Sequence, residues 1–148
     1  MHRVDAEALV GAPPGEVWKL YDNIVDMPRW VSSVEEVVYL SGPARVGTVY
    51  RERTRLGLMR AVGQWEIVEH RRPVRQVRTS TARGLESRRI ITFERRGTGT
   101  LVHEAAEIRS SLPGPVGWLH EAIASFGAAR GVHAAVAGAK RMFEGEPG

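Results

Sequence analysis

The chain has 148 residues, 43% of them hydrophobic and 26% charged, with a net charge of +4 and a pI near 10.1. That length suits one domain with a sizeable core. The absence of cysteine excludes a disulfide framework and any thiolate metal site. No apolar run approaches the ~20 residues of a membrane-spanning helix, and Met1–Val10 lacks the continuous apolar core of a signal peptide. A cytoplasmic protein is expected. Its arginines are scattered from Arg3 to Arg141 among acidic residues, so the basic balance reads as a solvated surface and not as a nucleic-acid site.

Residues 3–10 alternate, with Val4, Ala6, Ala8 and Val10 on one side, as in a half-buried strand. Gly11-Ala12-Pro13-Pro14 ends it, and proline suits the first turn of the short helix that follows, which carries Val17, Trp18 and Tyr21. Asp22-Asn23 breaks that helix before a second short segment, Ile24 to Trp30. Six strands are then expected: Val34–Leu40, Thr48–Leu56, Val62–His70, Val74–Ala82, Ser87–Arg95 and Thr100–Ser110. Turn residues separate them, among them Ser41-Gly42-Pro43, Gly57, Pro73, Gly84 and Gly97-Thr98-Gly99. Residues 116–144 form one long helix whose apolar stripe is read as Leu119, Ala122, Ile123, Phe126, Ala129, His133, Val136, Lys140 and Phe143. Its glycines (Gly117, Gly127, Gly131, Gly138) fit close packing or a neighbouring pocket equally well.

The expected class is therefore α+β. A curved antiparallel sheet of about seven strands, with two short helices after the first, grips one long C-terminal helix around an internal pocket. Residues 1–144 form a single domain, and 145–148 a disordered tail.

The opening Ala12-Pro13-Pro14, Val17-Trp18, Asp22 and Met27-Pro28-x-Trp30, with Gly47-Thr48, Pro73 and Gly99-Thr100 further on, resembles the START-related superfamily that includes polyketide cyclases/dehydrases. The resemblance covers essentially the whole chain and implies the helix-grip fold shared with birch-pollen-type allergens. Trp65-Glu66-Ile67-Val68-Glu69-His70-Arg71 is similar to a segment of tetracenomycin-type aromatase/cyclases. That similarity implies that Arg71 is a catalytic pocket residue. The group's pocket tryptophan and tyrosine fall on Met27 and Val34 here, and its second strand tryptophan on Ile67.

Strand parity sorts the remaining candidates. Trp65, Ile67, Glu69 and Arg71 share one face of their strand. Arg89, Ile91 and Phe93 share one face of the next but one, and Val102, Glu104, Ala106 and Ile108 one of the last. Tyr50, Glu52 and Thr54 face inward, leaving Arg51, Arg53 and Arg55 outside as a row suited to an acidic partner or membrane surface. The pocket set is Met27, Trp30, Tyr50, Glu52, Trp65, Ile67, Glu69, Arg89, Ile91, Phe93, Phe126 and His133, with Arg71 and Glu104 as catalytic candidates. Parity turns His70 and His103 away from the pocket. No histidine–carboxylate spacing suits a metal, and no nucleotide-binding glycine loop is present, so neither metal nor cofactor is expected. The expected partner is a small hydrophobic or aromatic ligand. It is bound for cyclisation and dehydration or, alternatively, carried as a lipid-like cargo.

Overall fold

The computed structural model describes residues 1–39, 44–56 and 58–144, excluding the side chains of Leu56 and Met59. Leu40, the Ser41-Gly42-Pro43 turn, Gly57 and the tail 145–148 lie outside the described residues.

The elements are β1 (His2–Val10), α1 (Pro14–Asp22), a 3-10 helix (Ile24–Arg29), β2 (Val34–Tyr39), β3 (Val49–Leu56), β4 (Met59–Arg71), β5 (Arg75–Ala82), β6 (Leu85–Arg96), β7 (Gly99–Ser110) and α2 (Gly114–Met142). All seven strands join one sheet in the order β1-β7-β6-β5-β4-β3-β2, every pair antiparallel. This is a meander from β2 to β7, with β1 added alongside β7. At the β5–β6 turn Arg83 and Gly84 have φ of 52° and 74°. Two consecutive left-handed residues make the tight turn whose twist matches that of the flanking strands.

α1 starts with Pro14 in its first turn, and its spacing puts Val17, Trp18 and Tyr21 on one buried face. With Met27 and Trp30 they meet the concave face of the sheet. Edge-on ring contacts join Trp18 to Phe93 (5.4 Å), Tyr21 to Phe93 (5.3 Å) and Tyr21 to Trp30 (4.9 Å). Each such ring buries roughly 150–250 Å², so this aromatic group carries much of the core. A smaller cluster, Val77, Ile90 and Ala105, occupies the opposite face of the sheet.

α2 lies along β1 and β7. The stripe it buries is Gly117, Glu121, Ser125, Val132, Ala135, Val136, Gly138 and Ala139; of the expected stripe Val136 is buried and Phe143 packs against the core, whereas the others are not buried. Two of its glycines leave no room for a side chain: a Cβ on Gly117 would run into the carbonyl of Leu112 in the connection before the helix, and one on Gly138 into the carbonyl of Trp30 at the end of the 3-10 helix. Leu119, Ile123 and Phe126, the bulky residues of the expected stripe, point to solvent. The architecture is the α+β helix-grip arrangement.

Candidate functional site

The concave face carries a group of charged and polar side chains that water scarcely reaches. Inward positions on four strands supply them: Tyr50 and Glu52 from β3, Gln76 and Arg78 from β5, Arg89 from β6 and Glu104 from β7, all buried. Ile67, Ile91, Phe93, Met27 and Trp30 surround them with apolar surface.

Arg78 and Arg89 are direct cross-strand partners. Two like charges in that position repel, and each guanidinium is held by its own set of acceptors. Arg89 donates through Nε to Glu104 Oε1 in a very short contact, and its NH1 lies 4.0 Å from Glu52 Oε2. Burial opposes the charge on Arg89, but the two carboxylates more than offset it and raise its pKa. Removing Glu104, the hydrogen-bonded partner, costs about 3–5 kcal/mol, because the Arg89 charge is left stranded. Glu104 Oε2 also accepts from Tyr21 Oη at 3.4 Å. Burial, followed by the Glu104 charge, pushes the Tyr21 hydroxyl pKa well up.

Arg78 is 0% exposed and, among the described residues, bonds no carboxylate. Its NH2 donates to Gln76 Oε1 (2.8 Å) and to the Tyr21 carbonyl (3.0 Å), and its Nε to Gln76 Oε1 (3.3 Å). NH1 has only the Tyr50 hydroxyl at 3.4 Å and the Met27 sulfur at 3.8 Å. Gln76 in turn donates to Asp22 Oδ1 (3.1 Å), which lies 2.6 Å from His70 Nε2. A polar chain thus runs from a part-exposed His70–Asp22 pair to a wholly buried cation.

Glu52 is 3% exposed, and its Oε2 accepts no hydrogen bond. Burial raises its pKa above the ordinary carboxyl value, the arginines only partly opposing this. A carboxyl of that kind, beside cations and among aromatic surface, is equipped to hold and pass a proton. Among the described residues no group of three or more histidine, aspartate or glutamate side chains is placed to hold a metal ion.

The expected residues divide sharply. Met27, Trp30, Tyr50, Glu52, Ile67, Arg89, Ile91, Phe93 and Glu104 converge on this interior, and Trp65 lies half-buried at its margin. Arg71 and Glu69 do not. A β-bulge between Ile67 and Glu69 inserts one residue into β4, so that Ile67 pairs with Arg78 but Glu69 with Val77. Parity reverses beyond it. The Arg71 side chain is 66% exposed, 3.7 Å from Glu69, and Glu69 accepts from Arg75 at 2.7 Å on the outer face. His70, expected outside, is turned inward against Trp18 (ring centroids 5.0 Å apart). Phe126 (70% exposed) and His133 also leave the site, since α2 is rotated from its expected stripe. His103 stays outside, 2.8 Å from Asp5, as its parity requires.

Arg78, Gln76, Tyr21 and Asp22 were not among the expected residues. β5 reads poorly because its inward positions, Gln76, Arg78 and Ser80, are polar, while Val77 faces the outer cluster. The findable signal was register: once Arg89 is placed inward, its cross-strand partner must be inward too.

A second strip of α2 joins the buried stripe at Gly138. His120, Ala124, Gly127, Gly131 and Gly138 follow one another at helical spacing. One end meets Ser110, whose Oγ is 2.8 Å from His120 Nδ1, and the other meets Trp30. Between them a Cβ on Gly131 would touch nothing within 4 Å. Outside the grip, Thr79, Glu86, Arg88, Glu107 and Arg109 line one open groove of about 370 Å³, and Glu36, Arg51, Arg53 and Val62 another of about 270 Å³. Neither groove includes the interior cluster.

The family model described as polyketide cyclase / dehydrase and lipid transport matches residues 1–144. Among solved structures, TTHA0849 from Thermus thermophilus is similar at TM-score 0.79 and 18% identity, with 95% of each chain covered. The ZhuI aromatase/cyclase from Streptomyces sp. R1128 is similar at TM-score 0.75 and 13% identity, covering 99% of this chain and 98% of that one. A START superfamily protein from Mycobacterium smegmatis follows at TM-score 0.74 and 13% identity, covering 96% and 99%. At these identities the likeness is one of fold. No curated protein sequence matches significantly.

Proposed function

The chain belongs to the polyketide cyclase / dehydrase and lipid transport family, and from that premise we propose that it binds a small hydrophobic carbonyl compound inside the grip and catalyses its cyclisation and dehydration. The observation that carries the reading is Glu52, a buried carboxyl with one oxygen free of hydrogen bonds and a raised pKa. In this role Glu52 takes a proton from a carbon flanked by two carbonyls. The enolate carbon attacks a third, more distant carbonyl of the same molecule, a C–C bond forms as that C=O π bond opens, and the new alkoxide oxygen receives the proton from Glu52. Loss of that hydroxyl with a proton from the adjacent carbon releases water. Arg89, fixed by Glu104, positions the Glu52 carboxyl. Arg71, on the outer face, takes no part.

Incubation with a linear β-polyketone mimic tests this. Wild-type protein is expected to convert it with loss of water, detected by mass spectrometry. Glu52→Gln is expected to keep binding and lose turnover by about 10²-fold or more. Binding by the wild type without any loss of water would make the protein a carrier. Unchanged turnover in Glu52→Gln would remove Glu52 from the chemistry. The carrier reading draws its own support from the outward Arg71, which separates this chain from the segment it resembles.

A further inference from the structure

Resting on the reading that the grip interior binds the ligand, we infer that this ligand carries an acidic oxygen on its apolar skeleton — an enolate, phenolate or carboxylate — and that Arg78 is its anchor. Among the described residues the interior holds two guanidinium groups and two carboxyls; both carboxyls lie within ion-pair distance of Arg89, and Glu52 attracts Arg78 only from further away. Arg89 takes Glu104 as its close partner. Arg78 has only neutral acceptors: an amide oxygen, a backbone carbonyl, a phenol and a thioether. The Tyr50 ring, 5.7 Å from the guanidinium carbon, adds a cation–π contact, but a buried cation with no hydrogen-bonded anion is costly, and proteins pair such charges or use them.

The geometry says which edge is available. Nε and NH2 are fixed by Gln76 and the Tyr21 carbonyl, which locks the plane of the guanidinium. NH1 is left with its two weakest contacts, both beyond 3.3 Å, so a charged oxygen there would gain more than it displaced. The Tyr50 hydroxyl beside NH1 can donate to the same oxygen. Burial keeps the Tyr50 proton in place by raising its pKa. The Trp30 indole N–H, also buried, has no acceptor either. These donors share the interior with Ile67, Ile91 and Phe93, which fit the apolar remainder of the ligand.

Two fluorescent probes of nearly the same skeleton separate the claims: N-phenylnaphthylamine, which is neutral, and anilinonaphthalene sulfonate, which adds one anionic group. Wild-type protein is expected to bind the sulfonate roughly tenfold or more tightly than the neutral probe. Tyr50→Phe and Arg78→Met are expected to reduce that preference, Arg78→Met to none, with neutral-probe affinity nearly unchanged. Arg71→Gln, on the outer face, is expected to leave it intact. Equal affinities for the two probes would overturn the anchor while leaving hydrophobic binding standing. A preference that survives both interior substitutions and falls with Arg71→Gln would also overturn it, by placing the anion outside. Binding of neither probe would remove the reading on which the inference rests. If Arg78→Met does not fold, the wild-type ratio and Tyr50→Phe decide.

Discussion

Glu52 stands in a contest between water and two arginines. Water is almost excluded, and the nearer guanidinium nitrogen is 4.0 Å away, too far to replace the lost hydration fully. Burial therefore wins and the folded-state pKa rises. A carboxyl raised on folding stabilises the fold fully below its unfolded pKa, roughly 4.3. That contribution is lost as pH climbs to the folded value. Glu52→Gln is thus expected to melt at a higher temperature than wild type at neutral pH, with the gap closing below about pH 4. Thermal melts across pH check this; a variant less stable than wild type at pH 7 would show that the charge is well solvated by its arginines. Glu121 is the opposite case. The Ser110 amide, then His2 and the N-terminal ammonium, hold its pKa down to about 2, which helps fasten the start of β1 to α2.

Among the elements, α2 is the one whose sequence misleads. A helix over a sheet ordinarily buries its large apolar residues. Here the buried stripe is mostly small or polar, with Val132 and Val136 its larger members, and Gly117 and Gly138 lie hard against the Leu112 and Trp30 carbonyls, where a side chain would not fit. Gly131 differs from them in having free space around it. Gly138→Ala is expected to destabilise by about 1–3 kcal/mol through overpacking on Trp30. Gly131→Ala is expected to stabilise by roughly 0.5–1 kcal/mol, through the helix propensity of alanine alone. Denaturant titration of the two variants reads both; equal effects would mean that the strip facing the sheet is uniformly packed. β4 shows the other way in which pattern reading fails. Trp65 and Ile67 follow the alternation, and the inserted residue before Glu69 then exchanges the faces of Glu69, His70 and Arg71. Nothing in Trp65–Arg71 announces a bulge, since both registers leave acceptable residues on each face.

At the scale of the whole molecule, topology was legible because it rests on signals that add along the chain. Turn residues delimit the strands of the meander, and prolines mark both helix starts. The candidate site was legible only in part, because it depends on pairings between distant segments. Glu52, Arg89 and Glu104 follow from parity, which is local. Arg78 follows from its register with Arg89, and the Asp22–His70 contact joins α1 to a bulged strand 48 positions away. The molecule also shows a bulky apolar outer face on α2, at Leu119, Ile123 and Phe126, so a hydrophobic probe has two places to go.

That choice sets the most direct test of the claim that the ligand lies inside the grip. N-phenylnaphthylamine is titrated into isotope-labelled protein while backbone amide resonances are followed by NMR. Shifts are expected at Ile67, Ile91, Val132 and Ala135, buried members of one core cluster that joins the sheet to α2. Shifts confined to Leu119, Ile123 and Phe126 would contradict it and make the outer face of α2 the binding surface.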